Sequence, residues 1–172
     1  YFFPIPSGII NIAYRLSRGN FEIENVKVTV PEGYTSAEIG RLLEKNLPHI
    51  KVKDFAVAAK GFEGYLFPDT YYFLPSVTSQ EVIQAMKSNF DNKILSLKDN
   101  IATFGKPLKE VITMAAILEE EARTDETRRT IAGILWKRLS IGMPLQVDAV
   151  FPYILGKTPA QITLDDLKIE SP

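Results

Sequence analysis

Residues 26–43 read VKVTVPEGYTSAEIGRLL, and the pattern of this stretch changes partway along it. The valines of VKVTV alternate with polar residues, which predicts a half-buried strand. Pro31 and Gly33 then predict a turn that ends the strand. Thr35, with Glu38 three residues later, has the spacing of a capping box and predicts that a helix begins there. A strand joined to a helix by a short turn predicts an α+β fold.

Outward from this stretch, most of the chain has its apolar residues at helical spacing, except that Gly61–Pro75 is aromatic and is predicted to be irregular. Helices are predicted from Ile9 to near Gly19, at Val52–Ala59, from Ser79 through an apolar face of Val82, Ile83, Met86 and Phe90, at Leu108–Ala122, from Thr124 to Ile141, and at Pro159–Leu167. The predicted α+β fold therefore has a small mixed α/β part at residues 1–76, followed by a mostly helical part at residues 77–172.

The composition limits the chemistry that the chain can carry. Its 172 residues include 20 Lys and Arg against 21 Asp and Glu, so the formal net charge is −1. Without a basic excess, nucleic acid is not expected as a partner. The chain has no cysteine and one histidine, His49, which excludes thiolate chemistry and sites built from several histidines. We therefore expect no metal and no cofactor, and we interpret His49 as a surface residue.

The stretch Met114–Ala122, MAAILEEEA, is the strongest candidate for chemistry. The helix predicted here is apolar on nearly all sides before Glu119, so it is expected to be buried. A buried carboxyl group is costly unless it is paired or functional, and burial would keep on Glu119 the proton that a general acid donates. The alternative is a solvated helix end, in which Arg123 is the ion-pair partner of Glu119.

Two other stretches carry patterns that suit a glycan. Residues 62–71 read FEGYLFPDTY, in which aromatic residues are interleaved with carboxylates. Aromatic faces pack on pyranose rings and carboxylates accept hydroxyl hydrogens, although the same rings could instead fill the core. Residues 142–148 read GMPLQVD, and on an extended segment Gln146 and Asp148 would point to one side. A turn whose polar groups are satisfied locally is the alternative there.

Taken in their order along the chain, the three stretches together resemble the endolytic murein transglycosylases of the YceG-like type, which cleave the glycan strands of bacterial peptidoglycan. The family pattern Glu-Gly-aromatic-x-aromatic-Pro-Asp-Thr-Tyr is matched at Glu63–Tyr71. The pattern Met-Ala-Ser/Ala-Ile-x-Glu-x-Glu is matched at Met114–Glu121, and Arg-Leu-x-x-Gly-Met-x-Leu-Gln-x-Asp at Arg138–Asp148. Residues Val28–Asn46 also resemble the LysM-like strand–turn–helix of the family. The sequence departs from the family at Lys137 and Val150, where Asn and Thr are usual.

The resemblance implies a role for residues in each stretch. Glu119 would be the catalytic residue. Residues 1–76 would be a LysM-like glycan-binding part with a linker, and residues 77–172 a catalytic part that continues beyond Pro172. The substrate-binding residues would be Glu63, Tyr65, Asp69, Tyr71, Glu121, Gln146 and Asp148.

The implied reaction needs one carboxyl group. Glu119 would protonate the glycosidic oxygen between MurNAc and GlcNAc, and would then accept the proton of the MurNAc 6-hydroxyl as that oxygen closes on the anomeric carbon. The product would be a 1,6-anhydroMurNAc end, formed without water or metal. Two alternatives stay open: a non-catalytic peptidoglycan-binding module, and a hydrolytic muramidase in which Asp148 or Glu121 is the second carboxylate.

The resemblance also implies a setting. No run of about 18 apolar residues is present, so no transmembrane helix is predicted within the chain. Because it begins at Tyr1, the chain is interpreted as a piece of a longer protein, with a membrane anchor expected outside it. The expected location is the cell envelope, at the inner membrane and facing the periplasm or cell wall. The expected partners are peptidoglycan glycan strands and peptidoglycan synthases.

Overall fold

A computed structural model describes residues 8–17, 23–148, 150–157, 159–163 and 165–166. Helices and one small sheet alternate along it, which confirms the predicted α+β class. Its elements are α1 (Ile9–Ser17), β1 (Val26–Thr29), α2 (Ser36–Asn46), α3 (Val52–Ala58), β2 (Thr70–Phe73), α4 (Ser79–Ser96), α5 (Lys98–Phe104), α6 (Leu108–Glu121), α7 (Asp125–Ser140), α8 (Val150–Leu155) and a 3₁₀ turn at Pro159–Gln161.

The strand–turn–helix predicted from residues 26–43 is confirmed. Gly33 has a φ of 77°, a left-handed conformation that glycine adopts without a steric penalty. Thr35 then caps α2, since its hydroxyl accepts from the amide of Glu38, and the Glu38 carboxylate accepts from the amide of Thr35 at 2.9 Å. The capping box therefore fixes where the chain leaves the turn and enters the helix.

The prediction of irregular backbone throughout Gly61–Pro75 is wrong at β2. This strand pairs antiparallel with β1, and Val28 lies opposite Tyr71 in the register. Phe73 is buried, Tyr71 is half-buried and Tyr72 between them is exposed, which is the alternation of a strand with one face on the core. The local pattern did not identify this strand because its partner lies far back along the chain.

The first compact unit spans Tyr1–Leu95. Its core lies between the sheet, α2, α3 and α4. Gly40 in α2 allows α3 to approach closely, because a Cβ at this position would lie 3.4 Å from the side chains of Phe55 and Val52. The fully buried large side chains of the unit are Phe55, Leu43, Leu47, Met86, Val28 and Val82.

The predicted boundary near Ser76 does not coincide with the division between the compact units. That division falls between Leu95 and Ser96. The apolar face predicted for α4 is confirmed, and its side chains Val82, Ile83 and Met86 belong to the core cluster of the first unit. The change of sequence character near Ser76 marks the start of a helix, and this helix packs on the preceding residues.

The second compact unit, Ser96–Pro172, contains α5 to α8 and a smaller buried cluster. Met114, Leu135 and Val147 form this cluster. The expectation that α6 is buried on nearly all sides is wrong, since Ala115 and Ala116 are exposed. Their methyl groups read as apolar in the sequence but are small enough to remain in water with little penalty.

Near the C-terminus the structure differs from the prediction in two ways. Helix α8 was not predicted. Within the predicted helix Pro159–Leu167, the structure forms a 3₁₀ turn at Pro159–Gln161, and Leu164 and Leu167 lie outside the described residues. Among the residues that the structure describes, no helix has both the length and the apolar character needed to cross a membrane.

Candidate active site

Glu119 lies in the last turn of α6, with its side chain 34% exposed. Its Oε2 accepts a hydrogen bond from Nη2 of Arg128 at 2.9 Å. The expected burial of this carboxylate is therefore not found. The ion-pair partner is Arg128 of α7 and not Arg123, which the solvated alternative had named.

The guanidinium of Arg128 joins the end of α6 to the start of α7. Its Nε donates to the carbonyl oxygen of Ala122 at 3.2 Å, and its Nη1 lies 3.8 Å from Oδ1 of Asp125. Ala122 is buried and is the C-cap residue that directly follows α6. Thr124 caps α7 as predicted, so the two helices are separated by a short link. The position of Glu119 relative to α7 is thus held by one rigid side chain.

The other two carboxylates of the EEE run are solvent-exposed. Glu120 and Glu121 both lie on the exposed surface of the helix end. For these two residues the solvated-helix-end alternative describes the structure. Glu121 stays a predicted substrate-binding residue.

The loop that carries Gln146 and Asp148 is attached to both α6 and α7. Nη1 of Arg138 donates to the carbonyl of Leu145 and lies 3.4 Å from Oε1 of Gln146. Val147 is buried in the cluster that includes Met114 of α6. Gln146 and Asp148 are exposed on either side of this anchored valine.

The extended segment that would place Gln146 and Asp148 on one side is not found. Gln146 has a φ of 54°, which lies in the left-handed region and interrupts the alternation of an extended segment. The arginine contact and the burial of Val147 hold this residue in a conformation that a non-glycine residue rarely adopts. Strained backbone of this kind clusters at functional sites.

In the first unit, Glu63 binds the N-terminus of α2. Its Oε1 accepts from the backbone amide of Ser36 at 3.0 Å, beside the capping box of Thr35 and Glu38. The residue lies at the surface, but its carboxyl end is partly enclosed. This burial raises the pKa of the Glu63 carboxyl, against the lowering effect of the Ser36 hydrogen bond, and the nearby charge of Glu38 raises it further. Glu63 therefore has a role in the fold whether or not it binds a glycan.

Asp69 and Tyr71 share one partner, Asn89 of α4. The Asn89 amide donates to Oδ2 of Asp69 at 3.0 Å and to the hydroxyl of Tyr71 at 3.2 Å. The Tyr71 hydroxyl donates to the carbonyl of Phe67 at 2.7 Å. Burial raises the pKa of Tyr71, whereas the hydrogen bonds from Asn89 and from the Thr70 amide lower the pKa of Asp69. We call Asp69, Tyr71 and Asn89 the α4 brace, because they tie the loop before β2 to α4.

The aromatic residues of this loop mostly contact the protein itself. The Tyr65 ring packs edge-on against Phe90, with the ring centroids 5.2 Å apart. Tyr71 and Phe73 stack at 5.6 Å, with their ring planes 9° apart. The core-filling alternative describes these rings, whereas Tyr72 is exposed on the other side of β2. Tyr65 and Tyr71 stay predicted glycan contacts through the parts of their rings that remain accessible.

The structure thus distributes the predicted site residues between two units. Glu63, Tyr65, Asp69 and Tyr71 lie together in the loop of the first unit. Glu119, Glu121, Gln146 and Asp148 lie in the second unit.

Sequence reasoning missed Asn89 and Arg128. Arg128 carried no local signal, because the sequence does not distinguish it from the adjacent Arg129 at the start of α7. Asn89 precedes Phe90 on a helix face that was assigned only to packing.

Metal ligands and the single histidine add nothing to this site. In the described part of the chain, no group of three or more His, Asp and Glu side chains could hold a metal ion. His49 is exposed, and its Nε2 lies 2.8 Å from the carbonyl oxygen of Val77. This agrees with its interpretation as a surface residue.

Comparison with known proteins gives the same family in three ways. The model of the YceG-like family matches residues 3–172. An endolytic murein transglycosylase of Bacillus subtilis is 35% identical over 111 residues, which are 64% of this chain and 31% of that protein. An endolytic murein transglycosylase of Streptococcus pneumoniae is 33% identical over 126 residues, which are 73% of this chain and 23% of that protein. The chain therefore spans about a third or less of the length of these relatives.

A solved structure extends the likeness to three dimensions. The 2.6 Å crystal structure of a YceG-like protein from Listeria monocytogenes has a TM-score of 0.76 to this chain at 26% identity. The match covers 97% of this chain and 64% of that one. The resemblance predicted from the three sequence stretches is thus confirmed, and the chain belongs to the YceG-like family.

Proposed function

We propose that this chain is part of an endolytic peptidoglycan lytic transglycosylase, and that Glu119 is its general acid and base. The relatives named as endolytic murein transglycosylases support the reaction class. The choice of Glu119 rests on the contact and the exposure of its carboxylate. It is held at one oxygen by Arg128 and stays about one-third exposed, so a substrate can reach it.

The reaction follows from what one carboxyl group can do. Glu119 in its protonated form donates a proton to the glycosidic oxygen, and the bond from that oxygen to the anomeric carbon of MurNAc breaks. The 6-hydroxyl oxygen of the same MurNAc then bonds to the anomeric carbon, and its proton passes to the Glu119 carboxylate. The residue ends protonated, as it began, and the product is a 1,6-anhydroMurNAc end. A donor must come within about 2.6–3.2 Å of the atom that it protonates, which an accessible helix end permits.

Gln146 and Asp148 are proposed to bind the glycan beside Glu119. They are exposed on both sides of Val147, which packs in the same cluster as Met114 of α6. The strained backbone at Gln146 supports a binding role, since it presents a side chain in an orientation that relaxed backbone would not give. Glu121 is proposed to contact the same strand.

The first unit is proposed to be a LysM-like glycan-binding part. The strand β1, the turn at Gly33 and the capped helix α2 support this proposal, because they give residues 28–46 the strand–turn–helix order that the sequence resemblance implies. Asp69 accepts one hydrogen bond at each carboxylate oxygen, from Thr70 and from Asn89. Each carboxylate oxygen can accept a further bond, so the α4 brace leaves capacity for sugar hydroxyls.

The cellular setting is part of the same proposal. Peptidoglycan strands lie in the cell envelope, so the protein is proposed to act there, anchored to the inner membrane and beside peptidoglycan synthases. Fractionation of cells that carry a tagged full-length protein tests the location, and its recovery in the soluble cytoplasm would contradict the proposal.

The activity is tested by digesting purified peptidoglycan and reading the products by mass spectrometry. This chain and a version extended past Pro172 are compared, each with Glu119→Gln and with Glu120→Gln as the matched control. We expect anhydro-ended products from the active form, a loss of about 10²–10⁴-fold for Glu119→Gln, and little change for Glu120→Gln.

Three other outcomes would contradict this proposal, each in a different way. Reducing ends, which carry one added water, would identify a hydrolytic muramidase. Binding to peptidoglycan with no cleavage by either version would identify a non-catalytic module. Full activity of folded Glu119→Gln would remove this residue from the mechanism.

A further inference from the structure

Arg128 makes contacts that a simple surface ion pair does not explain. The two donor atoms Nε and Nη2 lie on one edge of the planar guanidinium, and they bind two different parts of the α6 end. Nε donates to the main-chain oxygen of Ala122 at 3.2 Å, and Nη2 donates to the side chain of Glu119 at 2.9 Å. One rigid group therefore relates the Glu119 carboxylate to the backbone that ends its helix.

Stability alone does not account for this arrangement. The side chains of Arg128 and Glu119 are 35% and 34% exposed, and ion pairs at such exposure add little to stability. The two contacts instead fix the Glu119 carboxylate relative to the main-chain oxygen of Ala122.

The contact distinguishes the two oxygens of Glu119. Arg128 binds Oε2, and no hydrogen-bond partner of Oε1 is found among the residues that the structure describes. Asp125 is a weaker competitor for the guanidinium, since its carboxylate is 88% exposed and lies 3.8 Å from Nη1. Oε1 is thus the oxygen that can exchange a proton with a substrate while Oε2 stays fixed.

We infer that Arg128 is the positioning residue of Glu119, and this inference rests on the proposed function. Arg128 holds Oε2 so that Oε1 gives the proton to the glycosidic oxygen and then takes the proton of the 6-hydroxyl. When the first proton leaves Glu119, the carboxylate that results is already next to a guanidinium. The positive charge stabilises the anion at the step in which the glycosidic bond breaks. Arg128 itself touches no reacting atom.

The test separates positioning from folding by a comparison of three variants. Arg128→Gln removes the charge and the planar fork, whereas Arg128→Lys keeps the charge and loses the fork. Arg129→Gln is the matched control, because it removes the same charge from the next, exposed residue of α7. kcat and KM on soluble glycan strands and the Tm are measured for each variant, in the version of the protein that cleaves.

The expected pattern is specific to a positioning role. Misplacing a catalytic group by a small distance lowers the rate strongly, so kcat of Arg128→Gln should fall about tenfold or more while KM stays within about twofold. Arg128→Lys should lie between this variant and the wild type. Arg129→Gln should stay within about twofold of the wild type in both constants.

A second measurement does not depend on cleavage. In the wild-type 172-residue chain, the Nε–H of Arg128 should give a slowly exchanging NMR signal, which Glu119→Gln should weaken. An Arg128 signal that exchanges as fast as that of Arg129 would overturn the inference.

Failure of this inference and failure of the proposed function are distinguishable. If Glu119→Gln is inactive and folded Arg128→Gln cleaves at the wild-type rate, only the positioning role is overturned. If the loss in Arg128→Gln follows a fall in Tm and is not rescued by Arg128→Lys, the role is structural and the inference is overturned. If Glu119→Gln cleaves normally, the proposed function fails, and the role of Arg128 fails with it.

Discussion

Tyr71→Phe removes one hydroxyl from the α4 brace and leaves the ring in place. The hydroxyl donates to the carbonyl of Phe67 at 2.7 Å and accepts from Asn89 at 3.2 Å. The ring stacks on Phe73 at 5.6 Å, and phenylalanine keeps that contact. The change therefore isolates two hydrogen bonds, one that joins Tyr71 to the loop before β2 and one that joins it to α4.

The magnitude follows from the nature of these two bonds. Both join neutral groups, and such a bond contributes about 0.5–1.5 kcal/mol net. The site is half-buried, so water can replace part of what is lost, and we expect the free energy of unfolding to fall by about 1 kcal/mol. For a chain of this length, such a change lowers the Tm by about 2–4 °C.

The assay compares Tyr71→Phe with Tyr72→Phe, the same change at the next residue of β2. Tyr72 is 63% exposed, so its variant should stay within about 0.5 kcal/mol of the wild type in urea unfolding. Hydrogen exchange shows which part of the chain is destabilised. If the loss of stability lies in the first unit, the amides of β1 and β2 should exchange about fivefold faster in Tyr71→Phe.

The pH dependence gives an independent check. Because burial raises the pKa of Tyr71 in the folded state, the unfolded chain ionises first as the pH rises above the ordinary value of 10.0. The wild type therefore loses stability in that window, whereas Tyr71→Phe has no such group at this position. The difference in the free energy of unfolding between the wild type and Tyr71→Phe should therefore narrow above pH 10. Equal stability of Tyr71→Phe and wild type at neutral pH, or an equal loss in Tyr72→Phe, would refute the reasoning.

Two further changes test other contacts of the candidate site. Glu63→Gln keeps an acceptor for the Ser36 amide but removes a carboxylate whose pKa is raised by burial, so the wild type should lose stability relative to this variant as the pH rises above 4.5. Urea midpoints at pH 4 and pH 7 measure this, and a Glu63→Gln midpoint that does not rise relative to that of the wild type between these pH values would contradict it. Gln146→Gly fits the φ of 54° and should be at least as stable as the wild type, whereas Gln146→Val should lose about 1 kcal/mol or more. If both variants cleave glycan as well as the wild type, Gln146 is not a glycan contact.

Local rules were sufficient for the elements that depend on neighbouring residues. The capping box at Thr35 and Glu38, the cap at Thr124 and the apolar face of α4 were all predictable, because each depends on groups within one or two turns. The family was also readable from the sequence, since its three motifs keep their order along the chain.

Contacts between distant residues were not predictable in the same way. Strand β2 forms because β1 lies beside it, and no property of residues 70–73 alone predicts that pairing. The burial of α6 was overestimated because a hydrophobic pattern cannot show which of its faces meets a neighbour. The division between the compact units falls after α4 and not near Ser76, because α4 packs backwards onto the sheet unit.

The sequence by itself determined the fold class, most of the helices, the family and the choice of Glu119 as the candidate acid. The tertiary structure decided what holds that carboxylate, because Arg128 reaches Oε2 only when the end of α6 and the start of α7 come together. It likewise gave Asp69 and Tyr71 a common partner in Asn89, on a helix that begins after the motif ends. Residue types and spacing can indicate which chemistry is available, but an ion pair or a brace requires the distances that packing alone sets.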